Sequence, residues 1–257
     1  MVKKFVATLV VGAAVALAGA AQAKDWSKIK MASEGAYPPF NVTDANGQLA
    51  GFDVDIGKAL CEQMKAECTW VQQDWDGAIP ALVAGKFDAY IASMSITEER
   101  KKSVGFSEKY YQTPARLVAP KTYAGAVTPD AMKGKRIAVQ KGTTHYKYAD
   151  KAFKTAGAEV VEYDKSTDAQ KDLAAGRVDF ILDDVVVGQE FLDSADGTDF
   201  KFVGEPIRDP IFGEGAGIAV RKDDQDLANA FSKAIKEIVA NGTYEKINKK
   251  YFPFSVY

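Results

Sequence analysis

Apolar residues fall along this chain in two alternating rhythms, and each rhythm predicts a different element. Short β-prone runs, Ile29 to Ala32, Leu49 to Val54, Thr69 to Val71 and Phe87 to Ile91, are bounded by Gly, Asn, Asp or small residues and predict strands. Asp44, Ala45, Asn46 and Gly47, ahead of the second run, predict a hairpin turn. Between strands, Ile56, Leu60 and Met64 recur at fourfold spacing, the buried stripe of a helix, and Ile79, Leu82 and Val83 sit on another. Asp74 is the expected N-cap of that second helix and Gly85 its stop. Pro38 and Pro39 keep the loop from Ser33 to Pro39 out of helix. Strand, helix, strand, helix, strand is the order of a parallel α/β sheet.

The same device then repeats. Leu82 to Ile91 and Leu173 to Leu182 each read as a helix end, a Gly stop, a basic residue and a strand entered through Asp. The second half opens with a strand from Arg136 to Val139, followed by Gly142, Thr143 and Thr144 before another helix. Its strand from Val178 to Leu182 ends in Asp183 and Asp184. Each half therefore has a polar loop at the carboxyl end of a strand, where open α/β sheets bind ligands. Thr113 to Ala119 and Phe202 to Arg208, broken by Pro114, Pro120, Pro206 and Pro210, read as two crossings between lobes. Residues 24–113 and 210–257 are then expected to form lobe I, and residues 114–209, with hinge segments at both ends, lobe II. The returning tail carries a strand from Gly217 to Val220, a long helix with Leu227, Phe231, Ile235 and Ile238 on one face, and a last short helix with Tyr244, Ile247 and Tyr251. Two lobes joined by a double crossing make a hinged cleft.

Met1 to Ala23 stand outside this pattern. Lys3 and Lys4 precede an apolar run, and Ala21-Gln22-Ala23 fits the small-x-small rule, so a secretory signal peptide cut before Lys24 is expected. No other stretch is apolar enough to span a membrane, and no Cys follows the cleavage point as a lipid anchor would need. Cleavage leaves 234 of the 257 residues and, by removing Lys3 and Lys4, takes the net charge from −2 to −4 with both signs well mixed. That balance gives no support to nucleic-acid binding. An oxidising compartment, most simply a bacterial periplasm, makes Cys61 and Cys68 a disulfide closing a small loop. A redox pair more often shows C-x-x-C, and a metal site needs further ligands that the sequence does not provide.

The chemistry gathers at strand ends. Ser93 and Ser95 flank Met94 where the Phe87 to Ile91 strand stops; Thr97 reads as a helix N-cap, and Arg100 stands where a capping box would have Glu or Gln. Two serines, free amides and a guanidinium make a carboxylate site, since Arg pairs both oxygens with a planar fork. The plainer alternative is a pair of turn serines and a solvated helix charge. Glu34, Arg100 and Asp184 all fall at strand ends facing the expected cleft. A ligand with a carboxylate, an ammonium and a further cation complements Arg100, Asp184 and Glu34 respectively, because buried charges must be paired. Tyr37 and Trp75 are placed to sandwich an aliphatic stem or guanidinium, although Trp75 also fits an ordinary core position. Asp183 is either a solvated neighbour of Asp184 or exchanges roles with it. His145, the single histidine, is expected near the cleft without touching its chemistry. The GEGAG run from Gly213 to Gly217 lacks the third Gly of a dinucleotide turn, so it reads as a tight loop and no cofactor is expected.

At YPPF (Tyr37 to Phe40), GFDVDI (Gly51 to Ile56), SMSITEER (Ser93 to Arg100), KGTT (Lys141 to Thr144) and GTYEKINKKYF (Gly242 to Phe252), the sequence resembles the periplasmic solute-binding proteins of family 3 that serve ABC transporters for polar amino acids. Within them it is similar in particular to the lysine/arginine/ornithine-, histidine- and octopine-binding group. The resemblance implies a two-lobed type II periplasmic binding protein fold, each lobe a mostly parallel sheet flanked by helices, and a Cys61–Cys68 disulfide like that group's. It also implies that Arg100, with the amides of Ser95 and Thr144, holds an α-carboxylate. Asp184, the Ser93 carbonyl and the Ser95 hydroxyl would hold the α-ammonium, with Tyr37 and Trp75 beside the side chain; Ala92, Met94, Gln140 and Gly142 complete the expected ligand-binding set. Glu34 replaces the Asp that the basic amino-acid binders use for the distal cation; Ala92 replaces Ser, Gln140 replaces Leu and Trp75 replaces Phe. Glu and Trp at those places look like the opine binders. The expected protein is thus a monomeric, non-enzymatic binding component that captures arginine, ornithine, lysine, histidine or an arginine-derived opine and delivers it to an inner-membrane ABC permease. An enzyme on the same scaffold with Glu34 as general acid, dehydratase-like, and a soluble ligand sensor are the competing expectations.

Overall fold

The computed structural model describes residues 24–257; the expected signal peptide lies outside the described residues. The first part of the chain forms β1 (Lys28–Ser33), β2 (Ala36–Tyr37), β3 (Asn41–Thr43), β4 (Leu49–Ala50), α1 (Phe52–Gln63), β5 (Glu67–Gln72), α2 (Ala78–Val83), β6 (Ala89–Tyr90), α3 (Glu98–Lys101) and β7 (Val104–Tyr111). It continues through β8 (Ala115–Pro120), β9 (Arg136–Gln140), α4 (Thr144–Ala152), β10 (Glu159–Tyr163), α5 (Ser166–Ala174), β11 (Phe180–Asp184), α6 (Val185–Asp193) and β12 (Phe200–Ile207). The tail adds β13 (Ala216–Arg221), α7 (Gln225–Ala240) and α8 (Thr243–Tyr251).

Two five-stranded sheets result, in the orders β5-β1-β6-β13-β7 and β10-β9-β11-β8-β12, with a small antiparallel sheet β2-β3-β4 beside the first. In each large sheet three adjacent strands run parallel and the fourth runs against its neighbours. The reversed strands are β13 and β8, so the chain enters the second sheet after β7 and returns to the first after β12. Side-chain alternation gives each sheet two buried faces. Ile29 and Met31 of β1 pack with α1, α7 and α8 while Ala32 packs with α2; Ile137 and Val139 of β9 pack towards α4 while Ala138 packs with α5 and α6. Strands covered on both faces read as near-continuous apolar runs, which is why the sequence showed them as such.

The internal repeat has a visible physical basis. Asp88 accepts the Lys30 amide through its side chain at 2.9 Å and donates its own amide to the Lys30 carbonyl at 2.8 Å. Asp179 does the same with Arg136, at 2.8 and 2.9 Å. In both halves, therefore, one Asp three residues after a left-handed Gly, Gly85 or Gly176, pins the incoming strand to its parallel neighbour, β1 or β9.

Three expectations need correction. Leu49 to Val54 is not one strand: β4 stops at Ala50, and α1 begins at Phe52. The turn between them is enforced by Gly51 at φ 113°, where a Cβ would lie 2.4 Å from the Phe40 carbonyl oxygen, and by the Phe52 and Asp53 amides bonding back to Pro39 and Phe40. The cap of α2 is Gly77 rather than Asp74, and Val83, expected to be buried, is 55% exposed. Finally, most of Thr113 to Ala119 and Phe202 to Arg208 is not crossing but paired strand, β8 against β12, with the prolines at strand ends or at the register irregularity of an edge strand. The segments that leave one sheet for the other are shorter, residues 112–114 and 208–215. The remaining helices keep their expected faces: Leu227, Phe231, Ile235 and Ile238 of α7 are all buried. Cys61 and Cys68 form a disulfide that ties the end of α1 to β5. Among the described residues no helix is long and apolar enough to cross a membrane.

Distant motifs meet in one aromatic cluster. Phe40 stacks on Tyr111 at 4.4 Å between centroids and lies 5.6 Å from Phe252, while Phe52 touches Phe40, Tyr244 and Phe252. This cluster anchors the start of α1 and the chain just beyond Tyr37, so a residue at the end of β2 is held by packing from the C-terminal tail.

Candidate functional site

The carboxyl end of β1 runs directly into the cleft between the two large sheets. The Ser33 hydroxyl donates to the Ile91 carbonyl at 2.7 Å, and the Glu34 carbonyl accepts from Gln72 at 3.0 Å. The Gly35 amide donates to Asn41 at 2.9 Å. With the backbone fixed at three successive residues, the side chains of Glu34 and Tyr37 are aimed across the cleft. Glu34 is 1% exposed and accepts from Gln140 Nε2 at 2.6 Å; the same nitrogen donates to the Asp164 carbonyl at 3.0 Å. The Tyr37 hydroxyl donates to Asp183 Oδ1 at 2.6 Å.

Beyond β6 the chain turns through Ser93, which has φ 55°. A non-glycine residue there is held against its preference, at a cost on the order of 1–2 kcal/mol. The restraint is Asp53, a fully buried carboxylate at the start of α1 that accepts from the Ser93 hydroxyl at 3.0 Å, Tyr110 at 2.7 Å and Asn41 at 2.8 Å. The Ser93 amide in turn donates to the Tyr110 oxygen at 3.0 Å. Burial pushes the Asp53 carboxyl up to about 6 despite these three donors. Thr97 caps α3 as expected, accepting from the Arg100 amide, so the Arg100 side chain leaves the first turn towards the cleft. Its guanidinium donates to the Ser95 carbonyl at 2.9 Å and, across the cleft, to the Gly142 carbonyl at 3.2 Å, and it lies 5.1 Å from the Trp75 ring centroid. Arg100 is 8% exposed and, among the described residues, has no carboxylate within salt-bridge distance.

From the other lobe, Thr143 caps α4 and donates to the Gln140 carbonyl at 2.7 Å, fixing the turn that presents Gly142 and Thr144. Thr144 Oγ1 lies 3.4 Å from Ser95 Oγ. Asp184 caps α6, accepting the Val186 amide at 2.8 Å and the Thr113 hydroxyl. Glu34, Tyr37, Trp75, Ala92, Ser93, Ser95, Arg100, Gln140 and Thr144 line one narrow cavity, together with Thr143 and His145. Asp184 opens on to an adjoining cavity that shares Tyr37, Ser93, Ser95 and Thr144. Of the expected set, Gly142 and Met94 line neither cavity: Gly142 meets the site through its carbonyl, which accepts from Arg100, and the Met94 side chain is buried with Tyr90, Ala92 and Val104. A wider open groove beside β7, edged by Lys101, Lys109 and Lys222, contains no buried charge. Sequence reasoning missed Asp53, Tyr110 and Thr113 as supports and placed His145 further from the lining than it lies. Among the described residues, no cluster of His, Cys, Asp and Glu is arranged to hold a metal.

The family model for bacterial extracellular solute-binding proteins, family 3, matches residues 29–254. The chain belongs to that family. An L-arginine-binding protein of Pseudomonas aeruginosa is 50% identical over 232 residues, 89% of each chain. The lysine/arginine/ornithine-binding periplasmic protein of Escherichia coli is 42% identical, again over 89% of each. Among solved structures, an ancestral arginine-binding protein bound to arginine superposes with a TM-score of 0.82 at 37% identity, covering 88% of this chain and 98% of that one.

In this solute-binding protein the charges of the cavity are deliberately unequal in their satisfaction. Burial lowers the Arg100 guanidinium only to about 10, so it stays charged at any physiological pH. Burial likewise raises Glu34 to about 7 against the Gln140 hydrogen bond, and raises Asp184 to about 7 against its bonds from Thr113 and Val186. Burial, not a neighbouring charge, is the leading cause in all three.

Proposed function

We propose that this protein is the periplasmic substrate-binding component of an ABC importer, closing on a cationic amino acid or an arginine-derived opine. One arrangement carries the proposal: a buried guanidinium that, among the described residues, is bonded to carbonyls at one end of the cavity, and two buried carboxyls, Asp184 and Glu34, at separate places around it. An α-carboxylate would pair with the Arg100 fork and the amides of Ser95 and Thr144, the latter at the first turn of α4. The α-ammonium would meet Asp184, the Ser93 carbonyl and the Ser95 hydroxyl. Tyr37 and Trp75 would flank the side chain, and Glu34, oriented by Gln140, would receive its cation; Ala92 leaves room beside it. Arginine leads the ligand class, supported by the names of the similar proteins and by the buried Glu34 carboxyl that the Gln140 amide orients. The leader sequence supports export to the periplasm, where the closed monomer would be read by an inner-membrane permease.

A thermal-shift panel on ligand-stripped protein tests this, using arginine, ornithine, lysine, histidine, citrulline, octopine and nopaline, with calorimetry on the hits. Ligand at about 1,000 times its dissociation constant adds roughly 4 kcal/mol, so a true ligand raises the melting temperature by several degrees. Large shifts with basic amino acids or opines and a much smaller one with citrulline are expected. No shift with any cation would overturn the assignment of Glu34. The raised Glu34 carboxyl also suits a general acid, as a dehydratase-like enzyme would need; turnover of a bound compound into a product, rather than simple retention, would decide for that second function.

A further inference from the structure

We infer that Asp183 is a positioning residue for Tyr37: a lobe II carboxylate that takes the hydroxyl of a lobe I aromatic only when the lobes meet, and so fixes the wall beside the ligand. Asp183 is neither a solvated neighbour of Asp184 nor its substitute. It is 5% exposed and lines neither cavity. Both of its oxygens are engaged: Oδ1 accepts from the Tyr37 hydroxyl at 2.6 Å and from the Asp184 amide at 2.8 Å, and Oδ2 accepts from the Ser166 hydroxyl. The last two donors belong to its own lobe and persist when the lobes separate. Tyr37, at the end of β2, sits on the other lobe, so its bond is a differential contact of the closed form. The bond is buried, so water does not compete for either partner.

The consequence falls on Tyr37. Its ring lies 6.0 Å from Phe40, which belongs to the packed aromatic cluster, and its hydroxyl is anchored by Asp183. Gripped at both ends, the ring has one orientation towards the cavity in the closed form; with the lobes apart only the Phe40 side restrains it. Gln140 reaches Glu34 from β9 in the same way that Asp183 reaches Tyr37 from the neighbouring β11, so lobe II clasps the Glu34–Tyr37 segment at both of its cavity-lining side chains. The role of this wall in ligand retention rests on the proposed amino-acid site; the tie between the lobes does not.

The test is a double-mutant cycle of Tyr37→Phe and Asp183→Asn, read in two ways. The first reading is the release rate of L-arginine by stopped flow. Each variant is expected to release arginine about 10-fold faster with its association rate little changed, the size of a lost buried hydrogen bond. The double variant should be no faster than the worse single, because both remove one bond. Additive effects, or a slower association with unchanged release, would overturn the inference. The second reading, independent of ligand identity, is the distance between spin labels on the two lobes in ligand-free protein: both variants should lose closed population equally and non-additively, and an unchanged distribution counts against the tie. If wild-type protein binds no arginine, the proposed ligand class fails while the spin-label arm still decides on Asp183. Should Asp183→Asn fold poorly, Ser166→Ala loosens Asp183 from its own lobe instead. It is expected to speed release in the presence of Tyr37 and to have no effect in the Tyr37→Phe background; an equal effect in both would overturn the inference.

Discussion

Arg100 and Glu34 are buried charges in the same cavity, and their surroundings treat them in opposite ways. Arg100 is held by two carbonyls, one from each lobe, and by the face of Trp75, so its fork is oriented yet, among the described residues, its charge has no counter-ion. Glu34 is held by an amide from the opposite lobe, and burial lifts its carboxyl to about 7. One end of the site is therefore a fixed cation and the other an acid that can lose its charge near neutral pH. A cavity built this way demands a carboxylate from every ligand but makes its demand for a distal cation conditional.

Removing the fixed end should have the largest effect. Arg100→Ala leaves a ligand carboxylate buried without a partner, which costs on the order of 2–5 kcal/mol, or about 30- to several-thousand-fold in affinity for every α-amino acid. Calorimetry with arginine and with citrulline should show both lost to a similar degree. If Arg100→Ala retains wild-type affinity, the carboxylate lies elsewhere. Glu34→Gln should act selectively: roughly 10- to 100-fold weaker binding of arginine with little change for a neutral analogue, as expected for a charge-assisted bond reduced to a neutral one. Equal losses for both ligands would mean that Glu34 shapes the cavity instead of reading charge.

The conditional end also predicts a pH signature with opposite signs in the free and bound protein. Glu34 and Asp184 are raised from ordinary values of 4.5 and 3.8 to about 7, so the folded protein holds their protons more tightly than the unfolded chain does. Their contribution to ligand-free stability is fully present below about pH 4, declines as pH rises towards 7 and is gone above it. A cationic ligand needs the carboxylates, so its affinity should rise over the same window and level off above about pH 7. Calorimetry of arginine binding from pH 5.5 to 8.5, in buffers of different ionisation heat, should show about tenfold weakening per carboxyl between pH 8 and 6, roughly 100-fold for the two together, and proton release on binding at the acid end. Thermal melts of the ligand-free protein should move the other way. Glu34→Gln should remove its share of both trends.

Much of this was legible in the sequence, and what escaped it did so for identifiable reasons. The central strands β1, β9 and β11 show as apolar runs because both of their faces are buried, and the cap at Thr97 that aims Arg100 is a local signal. The two Asp-entered strands are visible as a repeat because one hydrogen-bond pattern selects the same residues twice. Phe52 was assigned to a strand because Leu49 to Val54 is one apolar run, and only the approach of Gly51 to the Phe40 backbone ends it early. Asp53 escaped notice since an acid in the first turn of a helix ordinarily faces water and favours the dipole; its burial under Ser93, Tyr110 and Asn41 depends on three segments far apart in the chain. Met94 lies between two site serines in the sequence, but the left-handed turn at Ser93 is not visible there, and the Met94 side chain packs into the core instead. Local chemistry was readable; contacts across the cleft, such as Tyr37 with Asp183, were not.

The smallest expected effect tests whether the contrast between the two ends is set by the hydrogen bond that Gln140 supplies. Burial raises the Glu34 carboxyl, and the Gln140 amide is the largest of the influences that lower it. Gln140→Leu, which keeps the approximate volume and removes the donor, should therefore push the Glu34 carboxyl higher still. At pH 8.5 a cationic ligand re-pairs the carboxylate, so arginine affinity should change only a few-fold. At pH 6.5 the same variant should bind distinctly more weakly than wild type, because more of its Glu34 is protonated before the ligand arrives. The midpoint of the affinity-against-pH curve should thus move upward while its alkaline plateau stays nearly in place. A plateau that falls with an unmoved midpoint would mean that Gln140 contacts the ligand directly and leaves the charge of Glu34 to burial alone.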